Sequence, residues 1–190
     1  VRHAKARDCA AVWSAVIAAA LLLSPHGAGV AGPAQQTCDT SLYPLSTPTT
    51  RFEDNGDGTV TDTQSKLMWM RCATGQTWAR GTCAGSAAQL TWQAAREAAQ
   101  AVNKEGRFSY GDWRVPQVTE LASIAERQCK NPRINLAIFP DTPAEPFWTA
   151  STRKGAGSEG FAFVLGFGAD GVRYEGKEEK HVVRLVRTAP

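Results

Sequence analysis

The sequence predicts an α+β fold, on three observations. Strand signals come first, two helical segments follow, and strand signals return to the end of the chain. That segregation argues against a parallel βαβ sheet. No internal repeat interrupts the order, and an even set of four cysteines follows an export leader.

Arg2, Lys5 and Arg7 form a basic start, Cys9 to Leu23 is a nearly unbroken apolar run, and Pro25 and Gly27 break it. Small residues follow at Ala28, Gly29, Val30 and Ala31. A basic start, an apolar run and a small-residue exit describe a secretory signal peptide. It covers residues 1–31, with cleavage after Ala31 or, alternatively, after Ala34. The apolar run is shorter than the roughly 20 residues a bilayer span needs, so no membrane span is expected in the mature form. The expected location is exported: periplasmic, cell-surface or secreted. Removing Arg2, Lys5, Arg7 and Asp8 turns 21 basic and 18 acidic residues into 18 and 17. With no domain-wide basic surface, nucleic acid is not an expected partner.

Cys9 leaves with the leader, and Cys38, Cys72, Cys83 and Cys129 remain. An even number in an oxidising compartment makes two disulfides the expectation, with three pairings open. Cys72 and Cys83 flank a turn-rich loop that can close on itself, which leaves Cys38 for Cys129. Zinc is disfavoured: no CxxC pair occurs, and His181 is the single histidine after the leader.

Residues 32–50 are rich in Thr, Ser and Pro and read as an irregular tail, with the domain proper over 51–190. Asp54-Asn55-Gly56-Asp57-Gly58 between β-forming residues signals a hairpin. Leu67 to Met70 is a short apolar run, read as a buried strand. Thr91 can cap a helix over 91–103, in which Trp92, Ala95, Ala98, Ala99 and Val102 share a face and Gly106 stops it. Pro116 suits a second helix start, with Val118, Leu121, Ile124 and Ala125 as its buried stripe and Asn131-Pro132 beyond it. Strands are then expected over 147–151, 161–167 and 171–174, the last two joined at Asp170-Gly171. His181 to Arg187 reads as a closing strand.

Several segments taken together resemble one known family. Asp54 to Asp62 with Lys66-Leu67-Met68-Trp69, Arg71-Cys72 through Thr82-Cys83, Asp112-Trp113-Arg114-Val115-Pro116 with Glu120-Leu121, Asn131 to Asn135, Phe147-Trp148 and Val183 to Arg187 carry the likeness. They resemble the family of C-terminal domains named from the Legionella collagen-like adhesin, over roughly 51–187. The resemblance implies a C-type-lectin-like fold, two helices packed on small antiparallel sheets with two disulfides. The entry to the second helix is also similar to that of formylglycine-generating-enzyme relatives. Val115, Gln117 and the charged insert Lys177 to Lys180 depart from the family pattern. The family's named member is a surface adhesin that binds sulfated polysaccharide, which puts an acidic polysaccharide or a surface protein among the implied partners.

Candidate chemistry is sparse. Asp54, Asn55, Asp57 and Asp62 suggest a calcium loop, but Gly56 and Gly58 fall where oxygen ligands are required, so a hairpin turn with two left-handed glycines is the better reading. Calcium is therefore not supported by the spacing, and no cofactor is expected. Glu145-Pro146-Phe147 lacks the third side-chain oxygen that calcium-dependent sugar binding needs. His181 sits in a charged run without a poised partner, so no catalytic residue is assigned. Asp112, Trp113, Arg114, Pro116 and Glu120 read as a structural knot. Trp78 is the tryptophan expected at the surface. The ligand-face candidates are Arg153, Lys154, Arg173, Tyr174, Lys177, Lys180 and His181, loop residues of the C-terminal half on the face that such a fold uses. Glu159, Asp170, Glu175, Glu178 and Glu179 interleave with them, and a mixed-charge solvated surface is the competing reading. The expected function is a non-catalytic, adhesin-like binding module; an oxidase-like enzyme and a filament subunit are the alternatives.

Overall fold

In the computed structural model of the chain, residues 36–39, 41, 44–168 and 170–190 are described. The expected leader, both cleavage positions and Cys9 lie outside the described residues. No helix among those described is long and apolar enough to cross a membrane.

The architecture is α+β, with two helices, small antiparallel sheets and two disulfides. Strands β1 (Thr37–Cys38), β2 (Phe52–Asp54), β3 (Thr59–Asp62) and β4 (Leu67–Met70) come first, followed by the hairpin β5 (Thr77–Ala79) and β6 (Thr82–Ala84). Helices α1 (Trp92–Glu105) and α2 (Val118–Ser123) occupy the middle. Strands β7 (Cys129–Lys130), β8 (Pro146–Thr152), β9 (Phe161–Gly166), β10 (Gly171–Gly176) and β11 (Val186–Thr188) complete the chain. The sheets run β11-β4-β3-β2, β10-β9-β8, β5-β6 and β1-β7.

The Asp54–Asp62 segment forms the expected hairpin, with Asp54 opposite Val60 and Phe52 opposite Asp62. Gly58 has φ +92°, and a Cβ there would stand 2.7 Å from Cγ of Trp78. Gly56, at φ +79°, would meet nothing within 4 Å. The two glycines therefore predict different costs. Gly56→Ala is expected to lose about 1 kcal/mol, the left-handed penalty alone. Gly58→Ala is expected to lose about 2 kcal/mol, because the indole must also move. Urea unfolding of the two variants side by side measures the difference, and equal losses would contradict the packing account.

Helix α1 matches its sequence signals. Thr91 Oγ1 accepts the Ala94 N–H at 3.3 Å, Ala95 and Ala99 are buried, and Gly106 closes the helix. Helix α2 is shorter than its apolar period predicts. Pro116 lies just ahead of the cap position Gln117, and Ser151 on β8 accepts the Val118 N–H while donating to Gln117 Oε1. The helix stops at Ser123, whose carbonyl accepts from Arg51 Nη1, and Ala125 leaves to bridge Ile134. Ile124 stays fully buried without being helical.

Two buried clusters share a wall. Trp69, Phe147, Leu165, Val182 and Val186 point into one, together with Leu121 of α2 and Phe139. Met68, Trp148, Ala162, Val164, Val183 and Leu185 point into the other, against Ala95 and Ala99 of α1. Alternating residues of β4, β8, β9 and the closing segment serve opposite clusters, as a pleated strand requires. This corrects the expected closing strand. Only Val186–Thr188 pairs regularly, with β4, while His181 bridges Leu90 and Val182 bridges Phe147. The segment spans the gap between sheets instead of lying in one. Arg184 lies within it, fully buried, and donates to the carbonyls of Met70 and Arg71 and to Thr142 Oγ1. Its guanidinium faces the rings of Phe139 and Phe147, and burial pulls its pKa down to about 9.

The 32–50 segment differs most from its reading as a tail. β1 pairs with β7, and Cys38 is bonded to Cys129. Gln36 Nε2 donates to the carbonyls of Pro132 and Ile134 at 2.6 Å. Thr47 is fully buried, and Ser46 and Thr47 wrap the carboxylate of Glu126, itself 1% exposed. Oε1 accepts from Ser46 N (3.1 Å), Ser46 Oγ (2.9 Å) and Gln128 N (3.1 Å). Oε2 accepts from Thr47 N and Thr47 Oγ1, both at 2.8 Å. Small hydroxyl residues are here the donors that a buried anion requires.

Candidate functional site

The outer end of the β8-β9-β10 sheet carries an exposed aromatic ridge. Register pairs Tyr174 with Phe163, Val172 with Leu165 and Gly176 with Phe161, so these side chains share one face. Leu165 is covered by the core, but beyond it Phe161 (38%), Val172 (50%) and Tyr174 (46%) emerge into solvent. The rings of Phe161 and Phe163 meet Tyr174 edge-on, with centroids 6.0 and 6.2 Å away. The Arg153 guanidinium lies 4.7 Å over the Tyr174 ring. Its loop is anchored by Ser158, which is buried and donates to the carbonyls of Arg153 and Gly155. Lys154 follows Arg153 in the same loop and is exposed.

The remaining expected ligand-face residues do not join this ridge. Arg173 points to the opposite face of β10 and is paired with Glu175 at 2.6 Å and Asp170 at 3.2 Å. Lys177 Nζ lies 4.6 Å over Trp92 and donates to the Glu159 carbonyl. Lys180 is exposed. His181 is half-buried with its ring 4.7 Å from Trp148, and burial lowers its pKa. Period-two alternation turns Arg173 away from Tyr174, and Lys177, Lys180 and His181 lie beyond the end of β10. The sequence reading missed Phe161, Phe163 and Val172; the signal was the alternation of large Phe161, Phe163 and Leu165 with the smaller Ala162 and Val164.

The hairpin carboxylates do not converge. Asp54 accepts from Gly56 N and pairs with Arg71 at 2.7 Å. Asp57 accepts from the Thr59 N–H and hydroxyl, and Asn55 bonds Thr59 and Thr61. Asp62 is buried at the far end of β3 and holds Arg51; burial would raise its pKa, but the Arg51 and Ser65 hydrogen bonds outweigh it and lower it. No group of three or more His, Cys, Asp or Glu residues arranged to hold a metal occurs among the described residues. In the Glu145-Pro146-Phe147 triplet, Phe147 is fully buried.

The second-helix entry is a knot of two ion pairs, not one. Arg114 forks onto Glu120 with both bonds at 2.7 Å, and Glu120 Oε2 also accepts the Gln117 N–H. Asp112 pairs with Arg187 at 2.6 Å instead of Arg114, and Arg187 stacks 3.8 Å over Tyr110. Trp113 (2% exposed) and Pro116 are buried between the pairs. Trp78 is half-buried, not free at the surface. Arg71 stacks 4.1 Å over it, and it lines a pocket of about 280 Å³ with Met70, Cys72, Val102 and Phe108.

The profile of the Lcl C-terminal domain family matches residues 58–187. The chain belongs to this family. The match runs from Gly58, the glycine beneath Trp78, to Arg187, the partner of Asp112, and takes in both helices and both sides of the wall. In this Lcl C-terminal domain, β1 and β2 lie outside the matched region, yet Cys38 is bonded to Cys129 within it. A comparison with curated proteins finds no match.

Proposed function

We propose that this Lcl C-terminal domain is an exported, non-catalytic module of adhesin type on a C-type-lectin-like scaffold, and that it binds an acidic polysaccharide on the Tyr174 ridge. The observation that carries the reading is Arg153 held over Tyr174 beside exposed Phe161. Apolar ring faces suit the C–H faces of a sugar, and a guanidinium fork matches the geometry of a sulfate or carboxylate. Two cysteine pairs support the choice of a binding module over an oxidase-like enzyme, since both take up sulfurs that would have to be free thiolates. The same bridges and the basic, apolar start of the chain support export.

The purified oxidised protein is expected to be retained on heparin resin at physiological salt and released as salt rises. Arg153→Ala and Tyr174→Ala should each weaken binding roughly tenfold, the effect of losing one interface anchor. Lys180→Ala, outside β10 and the Arg153 loop, should bind as the parent does. Elution of the parent protein in the void volume would overturn the reading.

A further inference from the structure

The free edge of β10 carries a second kind of recognition, independent of any ligand on the ridge. β10 is the outer strand of its sheet, and among the described residues no strand pairs with its far edge. Its six residues read Gly-Val-Arg-Tyr-Glu-Gly, and Val172 and Tyr174 are half exposed. Exposed edges in natural proteins are normally blunted by charged side chains, prolines or bulges, and charges of both signs on one edge can also pair with a facing copy. This one carries one positive and one negative side chain on the same face, two residues apart, with Tyr174 between them.

We infer that a second copy of this chain docks along β10, antiparallel, about a two-fold axis at Tyr174. In that register Arg173 stands opposite Glu175 of the second copy, and Glu175 opposite its Arg173. On the other face Tyr174 meets Tyr174, and Val172 stands opposite Gly176. The charges select this register over its neighbours. A shift that centres on residue 173 sets Arg against Arg, and one that centres on 175 sets Glu against Glu. Centring between residues 173 and 174 sets Arg against Tyr and Val against Glu. Pairing at residue 174 converts the Arg173–Glu175 pair within one strand into a ring of four alternating charges. It also joins the two Tyr174 ridges into one surface across the axis. Symmetric pairing through one self-complementary patch is the commonest form of soluble assembly.

Sedimentation velocity of the oxidised protein, over roughly a hundredfold range of concentration, tests this. The expected result is a monomer–dimer equilibrium. Arg173→Glu and Glu175→Arg, which place like charges opposite each other, should each weaken the dimer at least tenfold. The double variant R173E/E175R should recover it to within about twofold, because the swapped charges again face opposites. Hydrogen exchange supplies a readout on the parent protein itself, with amides of residues 171–176 expected to gain protection as concentration rises. A monomer at every concentration overturns the inference. So does a dimer that both single variants leave unchanged, or one whose concentration-dependent protection lies elsewhere than β10.

Discussion

Replacing Glu126 by Gln is expected to destabilise the protein by about 3 kcal/mol, the upper end of what buried donors left unsatisfied cost. Five donors from Ser46, Thr47 and Gln128 converge on its two oxygens. A glutamine keeps the shape but turns one acceptor into an NH₂ group, which then faces donors. The carboxylate also sets a pH dependence. Burial alone would raise its pKa, but the hydrogen bonds from Gln128, Thr47 and Ser46 outweigh it and hold it at about 2 against an ordinary 4.5. Below pH 4.5 the unfolded chain therefore binds a proton that the folded chain resists. The stabilisation is complete above that pH and is lost as pH falls toward 2, amounting to about 3 kcal/mol. Urea unfolding at pH 7, 5 and 3 should show a steeper loss in the parent than in Glu126→Gln, which keeps the acid sensitivity of Asp62 and Glu120. Parallel curves for the two proteins would refute the role given to this carboxylate.

Opening the Cys38–Cys129 bridge by the double change Cys38→Ser/Cys129→Ser is expected to cost about 4 to 5 kcal/mol. The bridge closes a separation of 91 residues, and loop-closure entropy grows with the logarithm of length. Cys72–Cys83, with a separation of 11, gives about 3 kcal/mol by the same relation. The two changes should also differ in what they release. Without Cys38–Cys129, residues 36–50 are held by the β1–β7 pairing, the Glu126 cluster, the Gln36 bonds and bonds to Arg51, Arg127, Gln128 and Asn135, with no covalent tie among the described residues. Proteolysis should then begin within that segment, whereas opening Cys72–Cys83 should leave it protected. Because Glu126 and Cys129 anchor the same segment, the Glu126→Gln and bridge effects should not add. A bridge variant within 1 kcal/mol of the parent, about the size of an ordinary surface effect, would mean that the segment is not part of the cooperative unit.

What the sequence revealed, and what it hid, follows from distance along the chain. The hairpin at Gly56 and Gly58, α1 with its Thr91 cap, and the local Cys72–Cys83 bridge are written in neighbouring residues. The Ser/Thr-rich segment looked like a tail because its partner, Glu126, lies 80 residues from Ser46. Helix α2 looked longer because Ile124 and Ala125 continue its period, while the diversion at Ser123 comes from Arg51, 72 residues earlier. Of the expected ligand face, Arg153 and Tyr174 lie together, the strand pleat turns Arg173 to the other side of β10, and His181 lies beyond that strand against Trp148. Phe161 and Phe163 escaped notice because both faces of β9 are apolar, and only register shows which one outruns its cover.

The wall shared by the two clusters has a consequence for the order of assembly. Val183 and Arg184 bond to Thr74, Met70 and Arg71, more than 100 residues upstream, and Val182 to Trp148. Both sulfur bridges lie wholly upstream of that segment. Oxidation can therefore finish while both interiors are still open, and the Val182–Val186 segment, made after both bridged regions, is the keystone whose arrival seals them together. Such long-range closure is slow and leaves apolar surface bare in the interim.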